Sequence, residues 1–471
     1  MEIMNTAVFD RPNLKEKIGY GFGDFASSMF WKLFSVYLMI FYTDVFGISA
    51  AAVGTMFLLV RIWDAANDPI MGIISDRVTT RWGKFRPFIL FGALPFSIIG
   101  ILTFTTPDWS GEYKLLYAYV TYTLMMMVYT VVNVPYASLL GVMSSHSDDR
   151  TSLASYRMVF AFAGSIFALA LVEPLTEFFS QTDSGIPDLE SAWMYTVMVY
   201  GLIASILFYF TFAWTKERVQ PPLAQKNSLK EDLKNLAKNK HWFVLLGAAL
   251  ATLIFNSMRD GAAVYYFKYY FAVTDITILG MSFGLISTYL VIGQAANIVG
   301  VILAKPISSL IGKKQTFMFA MFIAAALSCG MFYVTEAQAG LILVLQVCIS
   351  MCAGIIFPLL WSMYADTADY SEYTTGRRST GLIFSSASFS QKMGWTIGGA
   401  MTGWTLAIYG YQANVEQTEL AKEGLKMMMS ILPAIGALIS GLFIVFYKLT
   451  DDVVAEINTA LHNKVASESS S

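Results

Sequence analysis

The sequence predicts an all-α integral membrane protein with twelve transmembrane helices, and three observations support this class. Of the 471 residues, 56% are hydrophobic and only 14% are charged, whereas a soluble domain has about 25% charged residues. The apolar residues form long stretches, and a helix needs about 20 such residues to cross a bilayer. Finally, most of the 31 Lys and Arg residues fall in alternate connecting segments, which is the positive-inside pattern of membrane proteins.

Taken in order, the apolar stretches predict twelve spans, at residues 18–43, 50–75, 86–106, 114–141, 151–175, 191–214, 241–271, 276–305, 314–335, 338–365, 380–410 and 425–448. An even number of spans places both termini on one side, and the cation-rich segments make that side cytoplasmic. We therefore expect a multi-pass membrane protein with both termini cytoplasmic, surrounded by lipid and working as a monomer. No nucleic-acid partner and no cofactor are expected.

The longest basic and polar segment divides the spans six and six. Each half also has a turn of Gly and cations after its second helix, Arg81-Trp-Gly-Lys84 and Ile311-Gly-Lys-Lys314. Paired six-helix repeats around a central site are typical of transporters. The predicted parts are an N-terminal bundle at 1–215, a central cytoplasmic loop at 216–240, a C-terminal bundle at 241–448 and a cytoplasmic tail at 449–471.

Two carboxylates lie inside the second predicted span. Asp64 and Asp68 are four residues apart, so a helix places both on one face. Carboxylates are expensive in lipid and usually line a polar cavity or an ion pathway. The pair therefore predicts a site for a metal cation such as sodium, or for a shared proton. The alternative is a buried ion pair with Arg61, which leaves one carboxylate without a partner.

Basic residues also occur inside predicted spans, and intramembrane charges mark functional sites by default. They come from both halves of the chain and are Lys32, Arg61, Arg157, Arg259 and Lys392. Lys392 has Trp395 three residues later on the same helical face, and a cation beside an aromatic ring can bind a sugar. Packing explains Trp395 equally well, and Arg259 has a structural alternative beside Asp260.

The fourth predicted span contains Tyr129-Thr-Val-Val-Asn133-Val-Pro135. Pro135 frees a backbone carbonyl about one turn earlier, and interrupted helices often line cation sites. The Asn133 side chain can supply an oxygen to sodium or donate to a substrate hydroxyl. A simple packed kink is the alternative for the proline.

Two charged clusters at the cytoplasmic helix ends predict a gate. The first is Asp76, Arg77, Arg81 and Lys84, and the second is Asp366, Asp369, Glu372, Arg377 and Arg378. Exposed ion pairs are worth only about 0 to 1 kcal/mol each. Such weak pairs suit a gate that must open, and solvated loop charges are the alternative.

Several sequence motifs together resemble the glycoside, pentoside and hexuronide cation symporters of the major facilitator superfamily. The similarity runs almost end to end, and the motifs are Tyr20-Gly-Phe-Gly-Asp24, Phe41-Tyr-Thr-Asp44, Arg61-Ile-Trp-Asp-Ala-Ala-Asn-Asp-Pro69, Arg81-Trp-Gly-Lys-Phe-Arg-Pro87, Asn133-Val-Pro135 and Asp366-Thr-Ala-Asp-Tyr-Ser-Glu372. The resemblance implies a fold of two pseudo-symmetric six-helix bundles, a location in a bacterial inner membrane and symport by alternating access.

The resemblance also implies roles for individual residues. Asp64 and Asp68 match the aspartates that hold the coupling cation, and Asn133 replaces a third aspartate of melibiose-type members. Sodium remains possible through the two aspartates and the Thr130 hydroxyl, and a proton is the alternative. The implied sugar site consists of Asp24, Ser28, Lys32, Tyr129, Asn133, Arg157, Phe357, Lys392 and Trp395.

Compared with melibiose-type carriers, this sequence has fewer acidic residues at the implied sugar site, which suggests the charge of the sugar. Ser28 stands where melibiose-type carriers have an aspartate, while Lys32 adds a positive charge. A carboxylated sugar would meet less repulsion at such a site. We expect a glycoside or short oligosaccharide that bears a uronate, unless Lys32 is neutralised by Asp24. Neutral xylosides or galactosides are the alternative.

Other function classes fit less well. A membrane enzyme would need catalytic motifs, and the sequence has no nucleophile elbow, phosphate loop or His-rich metal site. A sugar sensor would need an output domain, and the cytoplasmic segments are too short for one. A sodium-dependent lysolipid carrier stays open as a rival of another class.

Overall fold

The computed structural model describes residues 11–144, 147–182, 187–218, 239–271, 275–278, 281–375 and 380–469. Most of these residues are helical. The helices are α1 Leu14–Lys32, α2 Ala50–Arg77, α3 Arg86–Thr103, α4 Gly111–Met143, α5 Ser147–Ser180, α6 Leu189–Trp214, α7 Lys240–Tyr269, α8 Leu285–Ile311, α9 Lys313–Met331, α10 Ala339–Thr375, α11 Thr380–Ile408, α12 Glu419–Met429, α13 Ile431–Val445 and α14 Asp451–Ser469. One or two consecutive helices therefore occupy each predicted span.

Ten helical segments of the described residues are long and apolar enough to cross a membrane. Two further helices, α2 and α11, occupy the second and eleventh predicted spans. Both are more polar: α2 contains Arg61, Asp64 and Asp68, and α11 is rich in Gly, Ser and Thr. The most polar predicted spans are therefore helical like the others.

The first helix starts with a complete capping box. The Asn13 side chain accepts from the Glu16 N–H at 3.0 Å, and the Glu16 carboxylate accepts from the Asn13 N–H at 2.8 Å. These bonds satisfy two of the free N–H groups at the helix start. Beyond Lys32 the helix continues through π-helical turns at Leu33–Tyr37 and Phe41–Val45. Such turns often lie at functional sites, and the second one contains Asp44.

Packing divides the chain into two compact units. The first contains residues 1–33 and 63–224, and the second contains residues 34–62 and 225–471. In the first unit, α1 packs along α5 and α6, and α3 packs along α4 and α6. In the second unit, α7 packs along α11 and α13, and α8 packs along α10.

The two Gly-and-cation turns are stabilised in the same way, each by an acidic residue from further along its own unit. Gly83 has φ +109°, and Glu217 accepts hydrogen bonds from the backbone N–H groups of Lys84, Phe85 and Arg86 at 2.7 to 3.0 Å. Carboxylates are favourable at such helix starts because the unbonded N–H groups carry partial positive charge.

The second turn repeats this geometry. Gly312 has φ +88°, and Asp451 accepts from the Lys313 N–H at 2.9 Å. A Cβ atom at Gly83 would lie 2.6 Å from the Glu217 carboxylate, and one at Gly312 would lie 3.0 Å from an Asp451 oxygen. Both turns therefore require glycine for its backbone conformation and for the close carboxylate.

Glu217→Ala is expected to destabilise the protein more than Asp451→Ala. Glu217 accepts three backbone N–H groups and Asp451 accepts one, and loss of a helix cap costs about 0.5 to 2 kcal/mol. Thermal unfolding of the purified protein in detergent measures the difference. Equal midpoints for the two variants would contradict the capping role of Glu217.

One segment differs from the predicted helix. The eighth predicted span starts at residue 276, but Asp275–Ile278 pairs antiparallel with Met281–Gly284 as a two-stranded hairpin, β1 and β2. Helix α8 begins only at Leu285. The segment contains β-branched Ile276, Thr277 and Ile278, a residue type that favours strands, so the apolar pattern alone placed the helix start too early.

Candidate functional site

The two aspartates of α2 meet a threonine of α4 inside the first unit. The Thr130 hydroxyl lies 3.0 Å from an oxygen of Asp64 and 3.0 Å from an oxygen of Asp68. Asp64 is only 2% exposed, Thr130 is also buried, and Asp68 is half-buried. The i,i+4 spacing thus brings both carboxylates to one hydroxyl group, as the sequence predicts.

This arrangement is favourable for a bound positive charge. A threonine hydroxyl has one proton and can donate to only one carboxylate at a time. The contact between the hydroxyl oxygen and the second carboxylate becomes attractive when a proton or a cation lies between them. Oxygen ligands of this kind are the ones that hard cations prefer. Two carboxylates and one hydroxyl therefore can hold a small monovalent cation or share a proton.

Asn133 is oriented differently from its expected role at the cation. Its side-chain nitrogen donates to the Tyr129 carbonyl on its own helix, at 3.1 Å. Helix α4 continues through Pro135 from Gly111 to Met143, so the proline does not break it. On α4 the Thr130 hydroxyl, rather than the Asn133 amide, thus contacts the two aspartates.

Asp24 and Arg157 form the second polar centre of the first unit. Arg157 Nε donates to Asp24 Oδ2 at 2.8 Å, linking α1 to α5. The arginine side chain is 34% exposed and the aspartate side chain is 14% exposed. The pair presents both a cationic donor and an anionic acceptor, which is the combination that binds sugar hydroxyls. Asp24 thus bonds to Arg157 of another helix.

Two tyrosines outside the predicted sugar-binding set support this ion pair. The Arg157 guanidinium lies over the Tyr136 ring, 5.3 Å from its centroid. Tyr136 stacks on Tyr20 at 4.8 Å and donates from its hydroxyl to the Tyr20 carbonyl at 2.6 Å. Gly23 makes room for the ring, because a Cβ there would lie 2.4 Å from it. In the sequence, the only indication of a role for these tyrosines is that Tyr20 lies near Asp24 and Tyr136 follows Pro135.

The remaining predicted sugar residues of the first unit lie on α1 and α4. Ser28 and Lys32 are half-buried, one helical turn apart. Tyr129 is also half-buried and packs against Trp31 at 5.7 Å and Phe96 at 6.0 Å between ring centroids. Tyr129 is thus part of an aromatic cluster.

In the second unit, Phe357 lies on α10, and Lys392 and Trp395 lie on α11. All three side chains are half-buried. The backbone carbonyl of Trp395 accepts from the Ser257 hydroxyl at 2.8 Å, and that of Lys392 accepts from Thr396 at 2.7 Å. These backbone bonds fix the helix positions from which the Lys392 and Trp395 side chains project.

Arg259 is buried in the second unit among neutral groups. It donates to the Gln346 side chain, and to the Tyr289 hydroxyl at 3.1 Å. Its neutral hydrogen bonds join α7 to α8 and α10, which favours the structural role.

The predicted gate residues of the first cluster have mostly local contacts. The Arg81 guanidinium lies over the Trp82 ring at 4.2 Å, and the Lys84 ammonium lies 5.5 Å from the Phe85 ring centroid. Arg77 is exposed. The Asp76 side chain lies outside the described part of the structure.

In the second cluster, Asp366 forms an ion pair with Lys313, a residue outside the predicted gate. Lys313 also lies 3.5 Å from Asp451, so one lysine links α9, α10 and α14. Asp369 and Glu372 are half-buried on α10, and Arg377 and Arg378 lie outside the described residues. The described ion pair thus stays within the second unit.

Comparison with known proteins identifies relatives along nearly the whole chain. Residues 19–451 match the family described as MFS/sugar transport protein. The putative glycoside/cation symporter YagG of Escherichia coli (strain K12) is 37% identical over 95% of this chain and 95% of its own length. The isoprimeverose transporter of Lactiplantibacillus pentosus is 34% identical over 96% of this chain and 92% of its own length.

A third relative is the glucuronide carrier protein homolog of Escherichia coli (strain K12), which is 34% identical over 95% of each chain. Among solved structures, the crystal structure of the major facilitator superfamily transporter FucP covers 93% of this chain and 99% of its own, with a TM-score of 0.55 and 15% identity. That similarity confirms the fold. The chain therefore belongs to the MFS/sugar transport protein family, as the sequence motifs predict, and is a multi-pass membrane transporter and not an enzyme.

Proposed function

We propose that this protein is a cation-coupled symporter of glycosides that works by alternating access in a bacterial inner membrane. The observation that carries the proposal is the contact of Thr130 with both Asp64 and Asp68. A cation there joins α2 to α4, and α4 also carries Tyr136 beside the Asp24 and Arg157 pair. Cation binding and sugar binding thus act on one helix, and coupling between two sites needs such a shared element.

The coupling ion is sodium or a proton. Two carboxylates and a hydroxyl suit sodium, whereas Asn133 in place of a third aspartate reduces the negative charge and favours a proton relative to sodium. Both ions use the same residues, so the test must vary sodium and pH independently.

The predicted sugar residues of the first unit support a substrate with a carboxylate. Asp24 contributes one negative charge, and Arg157 and Lys32 contribute two positive charges, so the set has a net charge of about +1. Asp24 pairs with Arg157, and Lys32 adds a second positive charge two turns after Asp24 on the same helix. The relatives named for glucuronides and for isoprimeverose support a sugar or glycoside as the transported molecule.

Alternating access explains the two charged clusters at the cytoplasmic helix ends. We propose that the predicted halves, residues 1–215 and 241–448, move around the sugar and that the clusters close the cytoplasmic side. The Lys313 and Asp366 ion pair joins two helix ends of the second half, so it orders the second half's side of this gate. Closure is favoured when both sites are filled or both are empty, which couples the two fluxes.

Transport into proteoliposomes tests the proposal. Counterflow is measured for labelled glucuronides, xylosides and melibiose, with and without sodium and at two pH values. We expect cation-dependent accumulation of a glucuronide. Preference for a neutral glycoside would overturn the acidic substrate, transport of lysolipid with no sugar counterflow would overturn the sugar symporter, and uptake independent of both cations would overturn the coupling.

A further inference from the structure

Asp44 is the centre of a dense hydrogen-bond cluster in the second unit. Its side chain is only 2% exposed. Oxygen Oδ2 accepts from Lys268 Nζ at 2.5 Å and from the Tyr269 hydroxyl, and Oδ1 accepts from the Thr43 hydroxyl at 2.7 Å and from the Tyr411 hydroxyl. Four donors on one buried carboxylate offset the cost of removing it from water.

The donors come from separate parts of the second unit. Asp44 lies in the π-helical turn after α1, Lys268 and Tyr269 end α7, and Tyr411 follows α11. Burial, with Tyr265 and Asp44 nearby, raises the pKa of the Tyr411 hydroxyl, so that it stays protonated and donates. The cluster thus pins the end of the first predicted span to the seventh and to the loop after the eleventh.

The loop after α11 has a backbone conformation that serves this cluster. Asn414 has φ +58°, a conformation uncommon for residues other than glycine. In this conformation its side-chain nitrogen donates to the Asp44 carbonyl at 2.5 Å and its backbone N–H donates to the Tyr269 hydroxyl at 3.0 Å. These two hydrogen bonds offset the backbone strain at Asn414.

The start of α2 packs against α11 beside this cluster. A Cβ atom at Gly54 would lie 2.8 Å from the Ala400 carbonyl, and one at Gly403 would lie 2.5 Å from the Ala50 carbonyl. Trp404 donates to the Thr55 hydroxyl at 3.2 Å. Residues 34–62 therefore have close polar and backbone contacts with α7, α11 and the loop that follows α11.

We propose that the Asp44 cluster is a latch, which holds the ends of the first two predicted helices on the seventh and eleventh and must release before the sugar site opens to that face. The proposal rests on the alternating-access function above, since residues 34–62 belong to one predicted half and α7 and α11 to the other. The face lies opposite the predicted cytoplasmic loops, so the latch closes the outer side.

The test uses a thiol reporter that needs neither sugar nor cation. Cys329, Cys348 and Cys352 are replaced by Ser, and Thr55→Cys places one thiol in the contact between α2 and α11. Labelling by a membrane-impermeant maleimide is measured with the reagent outside and then inside. With Asp44→Asn we expect labelling from one side to rise about tenfold or more, because a hydrogen bond to a charged group is worth about 1.5 to 3 kcal/mol, or more than one decade in an equilibrium constant.

Matched variants separate the latch from general damage. Asp108→Asn makes the same change at an exposed carboxylate on the same predicted face and should leave labelling unchanged. Tyr411→Phe removes one donor but keeps the ring, and should give a smaller rise than Asp44→Asn. A second reporter, Ser97→Cys, lies buried within the first unit and should stay protected unless the protein unfolds.

Each outcome decides for or against the latch. Unchanged Thr55→Cys labelling in Asp44→Asn would overturn it, whatever the protein transports. Equal exposure of both reporters would also overturn it, since that result shows loss of fold and not release of one contact. A selective rise supports it even if the transported molecule proves not to be a glycoside, so failure of the proposed function is distinguishable.

Discussion

Replacing Asp68 with Asn is expected to abolish cation-driven accumulation of sugar while leaving the protein folded. The amide keeps the shape of the side chain and a bond to Thr130, but it removes half of the negative charge that faces the hydroxyl. Without that charge the cation no longer raises sugar affinity, so we expect to lose a coupling factor of about 5- to 150-fold. Sugar binding to the purified protein, titrated with and without each cation, measures this factor.

Two further variants make the test specific for the site. Thr130→Val removes the hydroxyl but keeps the branched shape, so it should weaken cation binding, whereas Thr130→Ser should retain it. Asp275→Asn removes a carboxylate in the hairpin, far from the pair in sequence, and should behave as the wild type. Intact gradient-driven accumulation in Asp68→Asn would show that the cation binds elsewhere.

Arg157→Gln is expected to have the second large effect, on sugar affinity rather than on cation binding. The guanidinium bonds to Asp24 and lies over Tyr136, which holds it in one orientation for a substrate. A hydrogen bond to a charged group is worth about 1.5 to 3 kcal/mol, so affinity should fall about 10- to 150-fold. Equilibrium binding of the best counterflow substrate, measured at saturating cation, provides the value.

The same helix offers a control for the arginine. Arg150→Gln changes an exposed arginine of α5 two turns earlier and should leave affinity within about twofold of wild type, because surface changes usually cost less than 0.5 kcal/mol. Asp24→Asn should weaken binding as well, and the double variant should lose less than the sum, since the two residues act as a pair. Additive losses would mean that Asp24 and Arg157 contact the sugar independently.

The features of this site that depend on the geometry of a single helix can be predicted from the sequence. The spacing of Asp64 and Asp68 places them on one helical face because a helix repeats every 3.6 residues, and the structure has them together at Thr130. The capping box of Asn13 and Glu16 follows from its own four residues. Such features depend on the geometry of one helix, so no knowledge of the neighbours is needed.

The sequence pattern did not predict which side chains pair between different helices. Asp24 has Lys32 two turns away, yet it bonds to Arg157, which is 133 residues distant. Glu217 follows α6 and caps the start of α3, and Lys313 rather than a predicted gate residue meets Asp366. The partner in each case depends on the rotation and axial offset of two packed helices.

The sequence by itself determined that this protein is a helical multi-pass membrane protein, which family it belongs to and which carboxylates share a face. Only the tertiary structure decided that Arg157 pairs with Asp24 and that Asp44 gathers donors from α7 and the loop after α11. The physical reason is that helix formation and hydrophobic periodicity are local, whereas a buried charge takes whichever donors the packing of all the helices brings within about 3 Å.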